Sequence, residues 1–248
     1  MDMRFAGRVA MVTGAAGGIG AVIAQKFAEY GADIVIADIK IDEESEVFQN
    51  IRAMGRKVMG IHMDITNVAK VEEDVAKIVA EMGKIDFLIN NAGVYPARPM
   101  MEGDEKLFDF VIGVNLKGMY FVTQNVVKQS MLPNGFGRIV SISSIDGKKP
   151  AQGVGIYGAA KAGVIAMSNS FALELAGTNI NSNVVAPGWV ESAAVLANDR
   201  WKMFLDQIPA RRLGKLTEIA EACCFLCDEK VSFINGETLD VNGGQIMD

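Results

Sequence analysis

The sequence predicts an α/β fold: one domain in which a doubly wound, mainly parallel sheet of seven strands is flanked by helices. Three observations carry this. Short β-branched runs alternate with longer amphipathic stretches, and parallel strands need such long crossovers between them. A glycine-rich turn follows the first of these runs and opens the first helix. The 248 residues, half of them hydrophobic, suffice for one buried core, and no repeat or Pro/Ser-rich linker divides residues 1–248.

Taken in order, the strands are Val9–Thr13, 34–37, Val58–His62, 87–89, 139–142, 183–185 and a late Thr238–Val241, with helices between them. After the first strand come Gly14, Gly17, Gly18, Ile19 and Gly20, then a helix over about 21–30. Glycines at 14, 18 and 20 permit a tight turn, close approach of a pyrophosphate and close helix packing, while the helix N-terminus offers free N–H groups and a positive dipole end. Asp38 ends the second strand, eighteen residues beyond Gly20. A carboxylate there accepts both ribose hydroxyls of an adenosine and repels a 2′-phosphate, which predicts NAD as cofactor; Lys40 is the one residue able to soften that preference.

Tyr157 and Lys161 stand at i and i+4, with Ser144 thirteen residues upstream at the end of the fifth strand. A phenol is a poor base near neutral pH and needs a cation close by. At roughly 5 Å and an effective dielectric near 20, the Lys161 charge is worth about 3 kcal/mol, some two pKa units, which predicts a lowered Tyr157. Ser144 would hold a substrate oxygen while Tyr157 exchanges a proton with it.

Other classes of function are disfavoured. The net charge of −6 and the lack of a basic stripe argue against nucleic acid as a partner. Residues 1–8 lack the apolar core of a signal peptide and every apolar run is too short for a membrane span, so the expected location is cytoplasmic, with no membrane partner. Cys223, Cys224 and Cys227 invite a metal reading, but a single histidine, His62, supplies no second ligand motif, and the helical period of 216–227 predicts thiols packed inside a helix and no metal.

The landmarks Thr13, Gly14, Gly18 and Gly20, then Asp64, Asn90–Gly93, Asn115, Ser144, Tyr157, Lys161, Pro187, Gly188 and Ser192 resemble, in one order over the whole chain, those of the short-chain dehydrogenase/reductase family. The resemblance implies a Rossmann-type fold and a set of roles. Asp64 and Ile65 would face an adenine, Asn91 and Lys161 the two riboses, and the Val190 backbone a carboxamide. Ser192 stands where the family usually has Thr and keeps the hydroxyl. Asn115 would interrupt its helix and bind a water that links Lys161 to solvent. Tyr157 would be the acid/base, Ser144 the oxygen holder and Lys161 the group that lowers Tyr157, in hydride transfer between a carbinol carbon and a nicotinamide. A homotetramer is implied by the same resemblance.

For the substrate, Tyr95 and Pro96 are similar to residues of 1-arylethanol-type secondary-alcohol dehydrogenases, and with Trp189, Trp201, Met203 and Phe204 they suggest an apolar wall for a ring. Tyr95 and Trp189 are either that wall or ordinary packing residues. Asp146 is either an acceptor for a substrate hydroxyl or a solvated loop residue. Residues of about 190–210 read as a substrate lid or as a packed surface helix. The expected activity is oxidation of a hydrophobic, aromatic or cyclic secondary alcohol to its ketone by NAD. The alternative is a 3-oxoacyl-(carrier protein or CoA) reductase, which the tail after Ile208 resembles; against it stand Asp38 and the neutral Gly135 and Leu173 where such reductases carry basic docking residues. A member of another class, a dinucleotide-binding redox sensor without turnover, would be expected to lack Tyr157 or Lys161, and both are present.

Overall fold

The computed structural model describes residues 3–197 and 199–247, with 199 and 200 through their backbone alone. Seven parallel strands form one sheet: β1 (Val9–Thr13), β2 (Asp33–Asp38), β3 (Val58–His62), β4 (Phe87–Asn90), β5 (Gly137–Ile142), β6 (Ile180–Pro187) and β7 (Thr238–Val241). Their order in space is β3-β2-β1-β4-β5-β6-β7, and every pairing is parallel. The chain therefore winds outward one way from β1 and the other way from β4. Ligands of such sheets bind outside the carboxyl ends at that reversal, where the crossovers leave in opposite directions.

Both faces of the sheet are covered, which explains why the strands read as continuous apolar runs. Alternation divides them cleanly: Ala10, Val12, Ile34 and Ile36 pack under α1 (Gly18–Glu29), α2 (Glu46–Ala53) and α9 (Leu216–Cys227), while Met11, Val35 and Leu88 pack under α3 (Val68–Met82) and α5 (Met119–Val126). All seven expected strands are present. The first helix starts at Gly18, three residues before its expected start, because the extended Gly17 (φ −167°) serves as its N-cap.

The helical run from 105 to 134 departs from regular α-helix twice. It consists of α4 (Glu105–Ile112), a π-turn over Gly113–Gly118, α5, a second π-turn over Val127–Met131 and the short α6 (Leu132–Asn134). Such turns insert one residue into the helical ladder. The first lies where the helix presses on the sheet's carboxyl edge: a Cβ on Gly118 would meet Ile65 Cδ1 at 2.8 Å and its carbonyl at 3.0 Å. The 20-residue α7 (Gly155–Glu174) packs beside it. Among the described residues no helix is long and apolar enough to cross a membrane.

Candidate active site

At the carboxyl end of β1 the backbone turns through Gly14 (φ +65°), whose N–H donates to the Ala37 carbonyl at 2.7 Å. A Cβ here would lie 2.8 Å from Ala92 Cα, and one on Gly20 would strike the Gly14 carbonyl and Asn91 Nδ2, so both positions exclude a side chain. Gly17 and Gly18 differ, since a Cβ on either would project into open space. No side chain caps α1 and its first turn carries no acid, which leaves its positive end turned to that space, next to Ile19. The turn thus fits a pyrophosphate on observations of its own: two glycines forced by packing and two that keep a surface clear.

Asp38 closes one side of this turn. Its Oδ2 accepts from the Ala16 N–H and its Oδ1 from the Lys40 N–H, both at 3.0 Å, so the carboxylate is fixed where the turn begins. Asn91 closes the other side: Nδ2 donates to the carbonyls of Thr13 (2.9 Å) and Gly14 (3.0 Å). Both amide hydrogens are therefore spent on the scaffold, and only Oδ1 and the main chain are left for a ribose. Thr13, which carried no role in the sequence reading beyond its place in the turn, is the hub here, its Oγ1 accepting from the N–H groups of Asn91 and Ala92. Asp64 is exposed and Oδ1 accepts from Thr66 N–H and Oγ1; the Ile65 side chain is buried in the core, so an adenine contact would fall to its main chain.

Ser144, Tyr157 and Lys161 converge at the carboxyl end of β5. Ser144 Oγ accepts from the Asp146 N–H at 3.1 Å and its hydroxyl hydrogen-bonds Tyr157. Lys161 Nζ donates to the Ile142 carbonyl at 2.8 Å and lies 5.6 Å from the centre of the Tyr157 ring. Ser143 locks the helix onto the strand through Oγ–H to the Lys161 carbonyl at 2.8 Å, a contact that nothing in the local sequence pattern announces. Asn115 sits in the first π-turn, as its expected interruption of the helix required. Its Nδ2 donates to the carbonyls of Val94 and Val111 at 3.0 Å and its Oδ1 accepts from Val94 N–H at 3.2 Å. A Cβ on Gly93 would touch Asn115 Oδ1 (2.8 Å) and approach Lys161 Nζ (3.5 Å), which places this amide beside the lysine.

The electrostatics correct the sequence expectation. Burial is the largest influence on Tyr157 and raises its pKa above the ordinary value of 10; the Ser144 hydrogen bond opposes this, and the Lys161 charge does not reverse it. Burial also pushes Lys161 down, to about 8. The simple Coulomb reckoning left out the desolvation that both groups share. Near neutral pH this leaves Tyr157 protonated, suited to donate to a carbonyl, with a lysine poised close to its own titration.

Tyr95 meets the Tyr157 ring edge-on at 4.7 Å between centroids while 48% exposed, so it borders that phenol. Trp189 stacks on Phe204 at 4.9 Å and 15°, a flat apolar wall at the end of β6. Met203 is not part of that wall, being 67% exposed, and Trp201 instead lies under Lys202. Val190 is buried, bridges to Gly214, and its carbonyl accepts from the Ser192 N–H at 2.8 Å. Ser192 Oγ caps the short α8 (Ala193–Leu196) through Val195 N–H at 3.3 Å. With the 3-10 turn Asp199–Gln207, this forms the segment expected as a lid; Asn198 lies outside the described residues. A cavity of about 250 Å³ includes Trp189, Arg212 and Asp240 but none of Ser144, Tyr157 or Lys161. Cys223, Cys224 and Cys227 are wholly buried in α9, with their thiols pushed up by burial, and His62 is exposed at the end of β3, opposite Asp38 in register. Among the described residues no group of His, Cys, Asp and Glu could hold a metal.

Comparison with known proteins gives one pattern over nearly the full length. The family model described as enoyl-(acyl carrier protein) reductase matches residues 14–245. The 3-oxoacyl-[acyl-carrier-protein] reductase of Escherichia coli is 37% identical over 247 residues, 99% of this chain and 100% of its own. Among solved structures, a putative short-chain alcohol dehydrogenase from Sinorhizobium meliloti superposes with a TM-score of 0.93 at 31% identity, covering 99% of this chain and 98% of that one. An NAD+-bound xylitol dehydrogenase superposes with a TM-score of 0.90 at 30% identity, covering 97% and 99%.

Proposed function

The chain belongs to the short-chain dehydrogenase/reductase family of oxidoreductases, which bind a nicotinamide dinucleotide, and on that premise we propose that it interconverts a secondary alcohol and its ketone with NAD. The observation that carries this is the convergence of Ser144, Tyr157 and Lys161 beside a turn that fits a pyrophosphate. The dinucleotide, when bound, supplies or accepts the hydride. Ser144 holds the substrate oxygen, Tyr157 gives it a proton or takes one away, and Lys161 supports the charge that develops on Tyr157. Asn115, fixed in its π-turn, positions the chain around Lys161; with its side-chain amide bonded to Val94 and Val111, a relay water would rest on main chain or on the second lone pair of Oδ1. Asp38 supports NAD over NADP. Gly14, Gly17, Gly18, Ile19, Gly20, Asp64, Ile65, Asn91, Val190 and Ser192 complete the cofactor side of the proposal, and the segment of about 190–210 is its lid.

Two substrate readings divide this reaction. The carrier-protein reductase relatives support a 3-oxoacyl thioester, whose reduced form is itself a secondary alcohol, better than they support a free aromatic or cyclic alcohol. The free alcohol is supported by Asp38, by the Tyr95 edge on Tyr157 and by the Trp189–Phe204 wall, and a polyol dehydrogenase stands among the structural neighbours. Absorbance at the nicotinamide band, with acetoacetyl thioesters and free alcohols in turn and either dinucleotide, separates them. Turnover confined to thioesters with NADPH would remove both the free alcohol and the reading of Asp38. For assembly, a homotetramer is proposed, with the exposed Phe108 and Phe110 of α4 and Leu173 of α7 as the apolar surface that copies of the chain would cover.

A further inference from the structure

Asp146 is the one acid at the site that the proposed reaction leaves without a task. It lies in the 3-10 turn Ile145–Gly147, which Ser144 caps by accepting its N–H. The same hydroxyl hydrogen-bonds Tyr157, so Asp146 and the reacting phenol share one oxygen. The turn is also pressed against α7, since a Cβ on Gly158 would lie 2.7 Å from the Asp146 carbonyl. Yet the half-buried carboxylate accepts no hydrogen bond and joins no ion pair among the described residues. Neighbouring cations are occupied elsewhere: Lys148 by Asp240 at 2.6 Å, Lys161 by the Ile142 carbonyl.

Burial raises the Asp146 pKa, the mark of a charge held at a desolvation cost without a partner to offset it. A partner supplied by the substrate must be a donor, because a carboxylate only accepts. We infer that Asp146 selects, within the secondary-alcohol reaction proposed above, substrates that carry a second hydroxyl near the reacting carbon: diols and their hydroxyketones. A 3-oxoacyl thioester meets this position with acceptor oxygens alone, and an unfunctionalised ring leaves the carboxylate stripped of water and unpaired.

The test compares 1-phenylethanol with 1-phenyl-1,2-ethanediol, and cyclohexanol with 1,2-cyclohexanediol, at saturating NAD. Wild-type kcat/KM should favour the diol of each pair by about tenfold or more, the gain of a hydrogen bond to a charged acceptor. In D146L the ratio should fall to near one, and D146N, which keeps an acceptor oxygen, should fall between. Because each ratio is taken within one protein, partial loss of folded enzyme cancels. Equal turnover of both members of each pair by wild type, or a D146L ratio like that of wild type, overturns the role of Asp146 and leaves the reaction standing. Turnover of neither alcohols, ketones nor thioesters overturns the reaction and this inference with it.

Discussion

Lys161 Nζ donates to the Ile142 carbonyl from a residue only 5% exposed, and its pKa falls to about 8 from the 10.5 of a free lysine. The unfolded chain holds the extra proton between those two values, so stability rises with pH across that window, and below it the full cost of a buried charge is present. K161M lacks this slope. From about pH 7.5 to about pH 10, wild type should gain up to about 3 kcal/mol over K161M in urea unfolding; parallel curves would show that burial does not hold Lys161 down. Asp38 makes the second residue-scale prediction. D38S should narrow the NAD-over-NADP ratio of kcat/KM by at least about tenfold, since the carboxylate that repels a 2′-phosphate is gone. A wild-type enzyme that already prefers NADP would contradict it. Tyr157, Lys161 and Asp38 were legible in the sequence by type and spacing. The protonation of Tyr157 and Lys161 was not, because it is set by burial, which is a property of the whole fold.

Among the elements, the β1–α1 turn separates two demands that the sequence shows only as a run of glycines. Gly20 is required by packing, whereas Gly17 is free of it and leaves open the space of the proposed phosphate site. G17A should therefore keep the wild-type Tm while weakening NADH binding about tenfold or more, because its extended backbone tolerates any residue and its Cβ enters the space the phosphate needs. G20A should lower Tm by several degrees, since its Cβ meets Ala15 Cα at 2.9 Å as well as the Gly14 carbonyl. Calorimetry and NADH fluorescence check the pair, and an equal Tm loss in both variants would refute the division. The strands and the turn were legible because apolar runs and glycine spacing are local signals. The second π-turn and the clamps of Ser143 and Thr13 were not, because each rests on partners far along the chain: Ser143 on Lys161, Thr13 on Asn91 and Ala92.

For the whole molecule, the strand order explains why residues from five separate stretches meet. Gly14 follows β1, Asp38 ends β2, Asn91 follows β4, Ser144 follows β5 and Trp189 follows β6, all at one edge of a parallel sheet. The exposed Phe108, Phe110 and Leu173 make an association prediction: sedimentation equilibrium should give four chains per particle, and F110E should shift the distribution towards smaller species. The central claim, hydride transfer at this edge with Tyr157 handling the proton, is tested most directly by isotope transfer from NADH deuterated at C4 of the nicotinamide. With a ketone or 3-oxoacyl thioester that the enzyme accepts, wild type should place the deuterium on the new carbinol carbon, and Y157F should do so at least about a thousandfold more slowly with NADH binding retained. Deuterium that never reaches the product carbon, or a Y157F enzyme that transfers it at the wild-type rate, would contradict the account.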